Sequence, residues 1–354
     1  MSEFVTHGGN IYEAAEDLGL PERKIIDFSA SINPLGISKK IKAQIRKHLK
    51  YLKNYPDPAC VKLTELIAKK YNAPKENILI GNGSIELIYL LVRTLSPQKA
   101  LIPAPTFSEY ERALNINNVY AIKHIFLQEQ EGFKLDIAAF AHSMSDTDIA
   151  FLCNPNNPTA TYLNKNDIAT LSKQAKENNC FLVIDEAFLD FLNQDSAIEL
   201  TIDNPKIIVL RSLTKFYALS GLRIGFAVCN KTIKDKLLSL KEPWTVNSLA
   251  QIAARTALKD NIYEKQTFDI LKKEKTFIEQ SLNKYNIHYY PSKINFYLIK
   301  HEIAHHLYLE LRKKGILLRD CSNYKGLDQN YIRIAVKNHR ENTILMKEIK
   351  RLLH

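Results

Sequence analysis

The chain has 354 residues, of which 45% are hydrophobic and 25% are charged, and its formal net charge is +11. This length suggests about two domains of roughly 150 residues each and is ample for a buried core without disulfide bonds. The composition excludes a fibrous or low-complexity chain, while the positive charge leaves open whether the ligands are nucleic acids or small anions.

The N-terminal segment and the cysteines predict a location inside the cell. The segment MSEFVTHGGN lacks a basic stretch followed by an apolar one, so no signal peptide is predicted. No apolar run approaches the ~20 residues needed to cross a bilayer. We therefore expect a cytoplasmic protein without membrane contact, whose thiols stay free because they stand singly and without C-x-x-C spacing. These thiols belong to Cys60, Cys153, Cys180, Cys229 and Cys321.

The first 75 residues or so are predicted to be mainly helical. A short helix is expected over residues 11–18, with Asn10 as its cap and Gly19 as its end. A second helix is expected after Ser38, and a third over about 58–71.

From residue 78 onward, short apolar runs alternate with helical stretches. Continuous β-branched runs separated by helices predict an α/β fold with a mostly parallel sheet that is buried on both faces. The predicted strands are 78–80, 100–102, 148–153, 181–184, 207–210 and 224–228, and the predicted helices between them are 84–95, 106–114 and 165–179.

The pattern changes after Pro243. A Lys-rich helical stretch over about 247–285 is followed by short strands and helices, which predict a smaller α+β domain. We expect an N-terminal arm of residues 1–30, a large domain of 31–243 and a small domain of 244–354. The small-domain strands are predicted at 296–299, 316–318 and 331–336, with helices near 301–314 and at the C-terminus.

The most specific chemical motif surrounds Lys215, which follows a predicted strand. A lysine in this position is partly desolvated, which lowers its pKa and frees the amine to form a Schiff base. Ser212, Thr214 and Arg223 are suited to hold a phosphate beside it. A surface lysine is the alternative reading of Lys215 alone, and the flanking hydroxyls and arginine argue against it.

Other polar side chains follow predicted strands, where open α/β sheets bind ligands. Asp185 could pair with a protonated ring nitrogen or act as a helix cap. Gly83 and Ser84 open a helix whose backbone N–H groups suit a phosphate, although no P-loop pattern is present. Asn157, in the turn C-N-P-N-N-P-T, could bind a ring oxygen or a carboxylate. Phe107 could stack on a flat ring or pack in the core.

Taken in order, these segments resemble the pyridoxal-phosphate enzymes of fold type I, the aspartate-aminotransferase fold, over nearly the whole chain. The resemblance implies a transferase-type large domain with a mostly parallel mixed sheet, a smaller α+β domain, pyridoxal phosphate as cofactor, and a homodimer with shared active sites. The cofactor contacts that it implies are covalent attachment at Lys215, a pyridinium partner in Asp185, a ring-hydroxyl contact from Asn157, stacking by Phe107, and phosphate contacts from Gly83, Ser84, Ser212 and Arg223.

Two further positions bear on this resemblance. Tyr55, in N-Y-P-D-P, matches the tyrosine that reaches the neighbouring subunit's cofactor phosphate in the histidinol-phosphate aminotransferase branch; a turn residue beside Pro56 is the alternative. Ala160 stands where the family turn N-P-N-N-P-T usually continues with glycine.

Motifs near the N-terminus narrow the choice of reaction within this family. The motif H-G-G-N at residues 7–10 and the segment I-D-F-S-A-S-I-N-P-L-G at 26–36 closely resemble the threonine-phosphate decarboxylases of cobalamin biosynthesis. Histidinol-phosphate aminotransferases share N-P-L-G but generally lack the leading H-G-G-N. The resemblance implies decarboxylation of L-threonine O-3-phosphate to (R)-1-aminopropan-2-ol phosphate for the cobalamin nucleotide loop. L-serine O-phosphate as substrate, giving ethanolamine phosphate, and histidinol-phosphate-type transamination remain alternatives.

Substrate anions are expected at Arg319 and Arg333, although either arginine could instead pair with a carboxylate such as Asp320. By the family resemblance, Arg333 binds the substrate α-carboxylate together with Asn157. The other expected substrate contacts, toward the phosphate, are His7 from this subunit or its partner, Asn33, Gly36 and Arg319.

Two features of the sequence are typical of other functional classes. His301 and His305 match the zinc motif H-E-x-x-H and would share one face of a helix, with Glu302 as a base. No convincing third ligand is present, although Glu310 is a candidate, so we expect no metal site. Lysine pairs occur on predicted helices throughout the chain rather than in one basic stripe, so no nucleic-acid partner is expected.

Overall fold

The computed structural model describes residues 7–192 and 194–353. The part of the predicted arm that precedes His7 lies outside these residues. The strands are β1 (Ile26–Asp27), β2 (Ile78–Gly81), β3 (Lys99–Ala104), β4 (Ala121–Phe126), β5 (Ile149–Cys153), β6 (Phe181–Asp185), β7 (Ile207–Ser212), β8 (Gly225–Cys229), β9 (His288–Tyr289), β10 (Phe296–Lys300), β11 (Ile316–Leu317), β12 (Arg319–Asp320) and β13 (Tyr331–Ala335).

The largest sheet has seven strands in the order β2-β8-β7-β6-β5-β3-β4. Strand β8 runs antiparallel to both of its neighbours, and the other pairs are parallel. The predicted α/β fold with a mostly parallel mixed sheet is therefore confirmed. Since polar residues follow several of these strands, the carboxyl edge of the parallel strands is the expected ligand side.

The central strands are apolar because both faces of the sheet are covered. In β6, Leu182 and Ile184 pack into one core cluster, whereas Val183 between them packs into a second cluster on the opposite face. This alternation is the two-residue repeat of an extended strand. Burying a side chain of this size contributes roughly 1.5–3 kcal/mol, so this sheet is a rigid base for the residues at its edge.

Helices cover the sheet and extend beyond it. They are α1 (Ile11–Leu18), α2 (Lys39–His48), α3 (Val61–Tyr71), α4 (Ser84–Leu95), α5 (Glu109–Ile116), α6 (Ile137–Ser143), α7 (Lys165–Glu177), α8 (Leu200–Asp203), α9 (Lys231–Leu240), α10 (Ser248–Ala257), α11 (Asn261–Lys284), α12 (Ala304–Lys313) and α13 (His339–Leu352). None of the helices in the described ranges combines the length and the apolar character needed to cross a bilayer.

The C-terminal part contains a four-stranded antiparallel sheet in the order β12-β13-β10-β9. Strand β1 pairs in parallel with β11, which joins the N-terminal segment to this part of the chain. Helix α10 packs against α2 and α3, so the helix that follows Trp244 contacts residues of the predicted large domain.

Several elements differ from their predictions. The single stretch predicted over 247–285 is two helices, α10 and α11, which are separated at Leu258 and Asp260. Strand β4 and helix α9 were not predicted, because β4 is a partly exposed edge strand with polar side chains and α9 is rich in lysine. The predicted helix near 301–314 begins only at Ala304.

Candidate active site

A cavity of about 360 Å³ lies at the carboxyl edge of the large sheet, between that sheet and the C-terminal strands. It brings together residues that are far apart in sequence. The predicted site residues that line it are His7, Ser84, Phe107, Asn157, Asp185, Ser212, Thr214, Lys215, Arg223, Arg319 and Arg333.

Lys215 follows β7 and extends its side chain into this cavity. Burial and, to a smaller extent, the nearby cations Arg333 and Arg223 lower the pKa of the Lys215 amine to about 8. A neutral amine is a nucleophile, so a Lys215 with this pKa is suited to attack a carbonyl carbon near neutral pH.

Asp185 lies at the end of β6, and only 3% of it is exposed. Its carboxylate accepts hydrogen bonds from Tyr110 Oη at 2.8 Å and from the Ala187 backbone N at 3.0 Å. Burial raises the pKa of Asp185 to about 6, although these two hydrogen bonds act in the opposite direction. A buried carboxylate held in this way can stabilise a cationic ring nitrogen.

The N-terminus of α4 forms a cradle suited to a phosphate. Gly83 precedes the helix with φ +79°, and α4 has no side-chain cap, so its first N–H groups are available to an anion. This positive φ explains the glycine, and a Cβ on Gly83 would in addition lie 2.6 Å from Arg223 Nη2. Ser212 Oγ and Thr214 Oγ1 lie 2.7 Å apart in the same cavity.

These features fit pyridoxal phosphate. The Lys215 amine suits its aldehyde carbon, Asp185 suits its ring nitrogen, and the cradle at α4 suits its phosphate. Phe107 also lines the cavity, and its ring lies 6.1 Å from that of His7.

Arg333, on β13, is 6% exposed and is held in place by neighbouring oxygens. It donates to the Ser29 carbonyl oxygen at 2.7 Å and to Asn157 Oδ1. Its Nε has no hydrogen-bond partner within the described ranges. A buried guanidinium with donor capacity to spare is suited to bind a carboxylate.

Arg319 lines the same cavity and is 5% exposed. It donates to Asn323 Oδ1 at 2.9 Å and to the backbone carbonyl of Asp320, rather than to the Asp320 carboxylate. Its guanidinium lies 4.9 Å from the centre of the Tyr324 ring. These neutral acceptors leave the positive charge of Arg319 available for an anionic ligand.

The N-terminal arm docks on this cavity, and the same chain supplies His7 to it. The Gly9 backbone N donates to Ser29 Oγ at 2.8 Å. A Cβ on Gly8 would lie 2.5 Å from the Ser29 carbonyl oxygen. The two glycines are thus explained by the close approach of the arm to Ser29.

The scan of family models matches residues 23–349 to the family described as aminotransferase class I and II. The chain belongs to this aminotransferase family. Its members use pyridoxal phosphate, which agrees with the fit described above.

Individual relatives divide between two activities. The chain is 36% identical to the threonine-phosphate decarboxylase of Salmonella typhimurium, over 98% of this chain and 96% of that protein. It is 31% identical to the histidinol-phosphate aminotransferase of Methanococcus aeolicus, over 100% and 97% of the two chains. The structure of L-threonine-O-3-phosphate decarboxylase from Porphyromonas gingivalis matches with a TM-score of 0.82 and 25% identity, covering 93% of this chain and 99% of that one.

The aminotransferase-type turn after β5 forms without the usual glycine. Ala160 adopts φ +61°, a left-handed conformation that favours glycine, which explains the family preference at this position. The turn is closed by the Ala160 backbone N, which donates to the Asn156 carbonyl oxygen at 2.8 Å.

Asn33 does not line the cavity. Its side-chain amide donates to the Phe216 carbonyl oxygen at 2.7 Å and to Thr267 Oγ1 at 2.8 Å, and its contact with a substrate phosphate stays a prediction. Gly36 does not line the cavity either; it forms a turn at φ +64° whose carbonyl oxygen accepts from Tyr263 Oη. Both residues support the chain behind the site.

Tyr55 lies outside this chain's cavity. It is 82% exposed, and its ring lies 5.1 Å from that of Trp244. Its predicted contact with the cofactor of a second subunit stays a prediction.

The two histidines of the H-E-x-x-H motif do not stand together on a helix. His301 precedes α12, and its Nδ1 accepts from the Ile303 backbone N at 3.3 Å, so the two histidines do not share a helical face. Across the parts of the chain that the structure describes, no three His, Cys, Asp or Glu side chains converge to hold a metal ion.

Sequence reasoning did not find several residues of the site. Ser31 and Arg112 line the cavity, as does Tyr324, whose Oη donates to Asn157 Oδ1 at 3.3 Å. Glu109 lines it too, and Tyr110 supports Asp185 from outside it. The predicted helix after Phe107 could have indicated these residues. Its first turn places Glu109 and Arg112 in the lining of the cavity and Tyr110 against Asp185.

Proposed function

We propose that this protein is a pyridoxal-phosphate-dependent decarboxylase of a phosphorylated amino acid, with L-threonine O-3-phosphate as substrate and (R)-1-aminopropan-2-ol phosphate as product. The observation that carries the proposal is the H-G-G-N arm, which places His7 in the cavity with Arg319 and Arg333. Such a cavity suits a small molecule that carries two anionic groups. L-serine O-phosphate, which lacks one methyl group, is the other substrate to test.

The proposed roles follow from position. Arg333 and Asn157 hold the α-carboxylate, while His7 and Arg319 hold the phosphate. Holding both ends sets which bond at Cα stands perpendicular to the cofactor ring, and that bond breaks. A decarboxylase aligns the bond to the carboxylate, whereas a transaminase aligns the C–H bond.

The remaining chemistry is divided between the cofactor and two side chains. When bound, pyridoxal phosphate supplies an electron-poor ring that stabilises the negative charge left at Cα. Asp185 keeps the ring nitrogen protonated by pairing with it. Lys215 holds the cofactor and is placed to return a proton to Cα.

The second candidate function is transamination of histidinol phosphate. It is supported by the relative from Methanococcus aeolicus, which is 31% identical over the whole chain. Against it stands the docked H-G-G-N arm, which generally is lacking in that branch.

The wider organisation is proposed on the same basis. We divide the chain into an arm of residues 1–30, a large domain of 31–243 and a small domain of 244–354, supported by strand positions on either side of 243. We also propose a homodimer in the cytoplasm. Exposed apolar side chains near Tyr55 support the dimer, and five free, buried cysteines support a reducing compartment.

A substrate panel tests the proposal. The holoenzyme is incubated with threonine phosphate, serine phosphate and histidinol phosphate, with and without 2-oxoglutarate, and CO2, amine and glutamate are measured. We expect CO2 and aminopropanol phosphate from threonine phosphate without 2-oxoglutarate, and no turnover by Lys215→Ala. Turnover that requires 2-oxoglutarate and yields glutamate would establish the aminotransferase instead.

A further inference from the structure

We propose that Glu109 is a positioning residue that holds His7 over the substrate pocket, so that the N-terminal arm forms part of the phosphate site. The inference rests on the proposed function, in which His7 contacts the substrate phosphate. Nothing in the sequence pattern singled out Glu109, and its role follows from the contacts it makes.

Glu109 is the first residue of α5, and only 4% of it is exposed. One carboxylate oxygen lies 2.5 Å from His7 Nε2. The other accepts from Tyr89 Oη at 2.6 Å and lies 3.3 Å from Arg112 Nη1. The carboxylate therefore joins the arm to helices α4 and α5.

A buried carboxylate beside an anion-binding pocket would repel a phosphate unless its charge were compensated. Here His7, Tyr89 and Arg112 surround it. Burial alone would raise the pKa of Glu109, but hydrogen bonds from His7 and Tyr89 bring the pKa down to about 2. Glu109 is thus an ionised, acceptor-only group at any working pH.

This ionisation determines how the imidazole is used. Because the carboxylate can only accept, His7 Nε2 must carry the hydrogen of the contact, and Nδ1 is the ring nitrogen left for a ligand; in the doubly protonated ring its N–H would donate to a phosphate oxygen. Orienting a histidine through its second nitrogen is a general device for presenting the first nitrogen to a ligand.

The beginning of the arm, at residues 7–9, is consequently held in two ways. The Gly9 backbone N donates to Ser29 Oγ, and Glu109 holds the His7 side chain from 102 residues away in sequence. If the second anchor is removed, the backbone can stay docked while the His7 ring loses its fixed orientation.

A double-mutant cycle tests this coupling. The dissociation constant of aminopropanol phosphate, the proposed product, which keeps the phosphate and the amine but has no carboxylate to lose, is measured from the change it causes in the absorption band of the holoenzyme, for wild type, Glu109→Ala, His7→Ala and the double variant. We expect each single variant to weaken binding by about tenfold or more, since a hydrogen bond to a charged group is involved. We expect the double variant to be no weaker than His7→Ala alone.

Matched variants separate positioning from a structural role. Glu109→Gln keeps an acceptor for His7 and should recover part of the affinity; it also replaces Glu109→Ala if that variant does not fold. The control is Glu111→Gln. Glu111 lies on the same helix but pairs with Lys325 at 2.9 Å, so this variant should bind the ligand like wild type. Additive losses in the double variant, or wild-type binding by Glu109→Ala, would overturn the inference.

The cycle also distinguishes this inference from the proposed function. Binding is read without turnover, so absence of CO2 in wild type would contradict decarboxylation while the coupling could still be measured. Conversely, normal CO2 release with no coupling between Glu109 and His7 would refute the positioning role alone.

Discussion

At the residue scale, the acidity of Lys215 is set by its surroundings. Burial and two nearby arginines lower the pKa of its amine from 10.5 to about 8, so in the folded protein the neutral amine forms as the pH rises through 8. We predict that the rate of pyridoxal-phosphate uptake by cofactor-free protein rises with pH with a midpoint near 8. Growth of the absorption band of the bound cofactor between about pH 6 and pH 10 measures this. A midpoint near the ordinary lysine value would contradict it.

Tyr110 tunes the other catalytic group. Burial raises the pKa of Asp185, and the hydrogen bond from Tyr110 favours the ionised carboxylate and limits the rise, so that the pKa is about 6. The substitution Tyr110→Phe removes this hydrogen bond, so the pKa of Asp185 rises. As the pH falls, Asp185 then loses its ionised form at a higher pH than in wild type. We predict that the acid limb of the kcat profile shifts upward. Tyr120→Phe, at an exposed tyrosine, is the control and should leave the profile in place.

At this scale, a site residue could be predicted from the sequence where it stands at the end of a predicted strand or just after one. Asp185 ends β6 and Lys215 closely follows β7, and both line the cavity. The contacts of the Asn33 amide with Phe216 and Thr267, which are 183 and 234 residues away, could not be predicted in this way. Glu109 was not predicted either, because its partner His7 is 102 residues away in sequence. Contacts of this kind depend on tertiary packing, which local pattern does not contain.

At the scale of elements, the buried strands were predictable because apolar runs with both faces covered leave a clear signal. The half-exposed edge strand β4 and the lysine-rich helix α9 lack that signal. A buried ion pair fixes the positions of two strand ends at the edge of the sheet. In this pair, Arg211 Nη1 donates to Glu186 Oε2 at 2.9 Å. It links the ends of β7 and β6 beside Ser212 and Asp185.

The N-terminal arm gives a prediction at this scale. In Gly8→Ala the new Cβ would lie 2.5 Å from the Ser29 carbonyl oxygen, so the arm must move away from the cavity. We predict that KM for threonine phosphate rises about tenfold or more, as expected for a displaced substrate contact, while the melting temperature changes little. Gly221→Ala, where a Cβ meets open space, is the matched control. Unchanged KM in Gly8→Ala would show that the arm does not contact the substrate.

At the scale of the whole molecule, Tyr55 lies away from this chain's own cavity and is exposed. If it completes the site of a second subunit, two inactive variants should complement each other. Mixing Lys215→Ala with Tyr55→Ala under subunit exchange should restore activity, because one site of each mixed dimer has both native residues. Random exchange would recover about one site in four. No recovery, with mixed dimers shown to form, would place Tyr55 outside the partner's site.

The structure explains part of the positive net charge of the molecule. The net charge of +11 includes Lys215, Arg223, Arg319 and Arg333, which line one cavity, so part of it serves anions. The lysines on the helix surfaces have no such role, and solubility is sufficient explanation for them.

The central claim is that the bond between Cα and the carboxylate breaks while the nitrogen stays on the product. The most direct measurement is an NMR assay of threonine phosphate, labelled with 13C at the carboxyl carbon, incubated with the holoenzyme in D2O without a 2-oxo acid. We predict labelled CO2 or bicarbonate in equal amount to an aminopropanol phosphate that carries one deuterium at the former Cα. Substrate that exchanges its Cα hydrogen for deuterium, keeps its labelled carboxylate and reacts further only when 2-oxoglutarate is added would contradict the account.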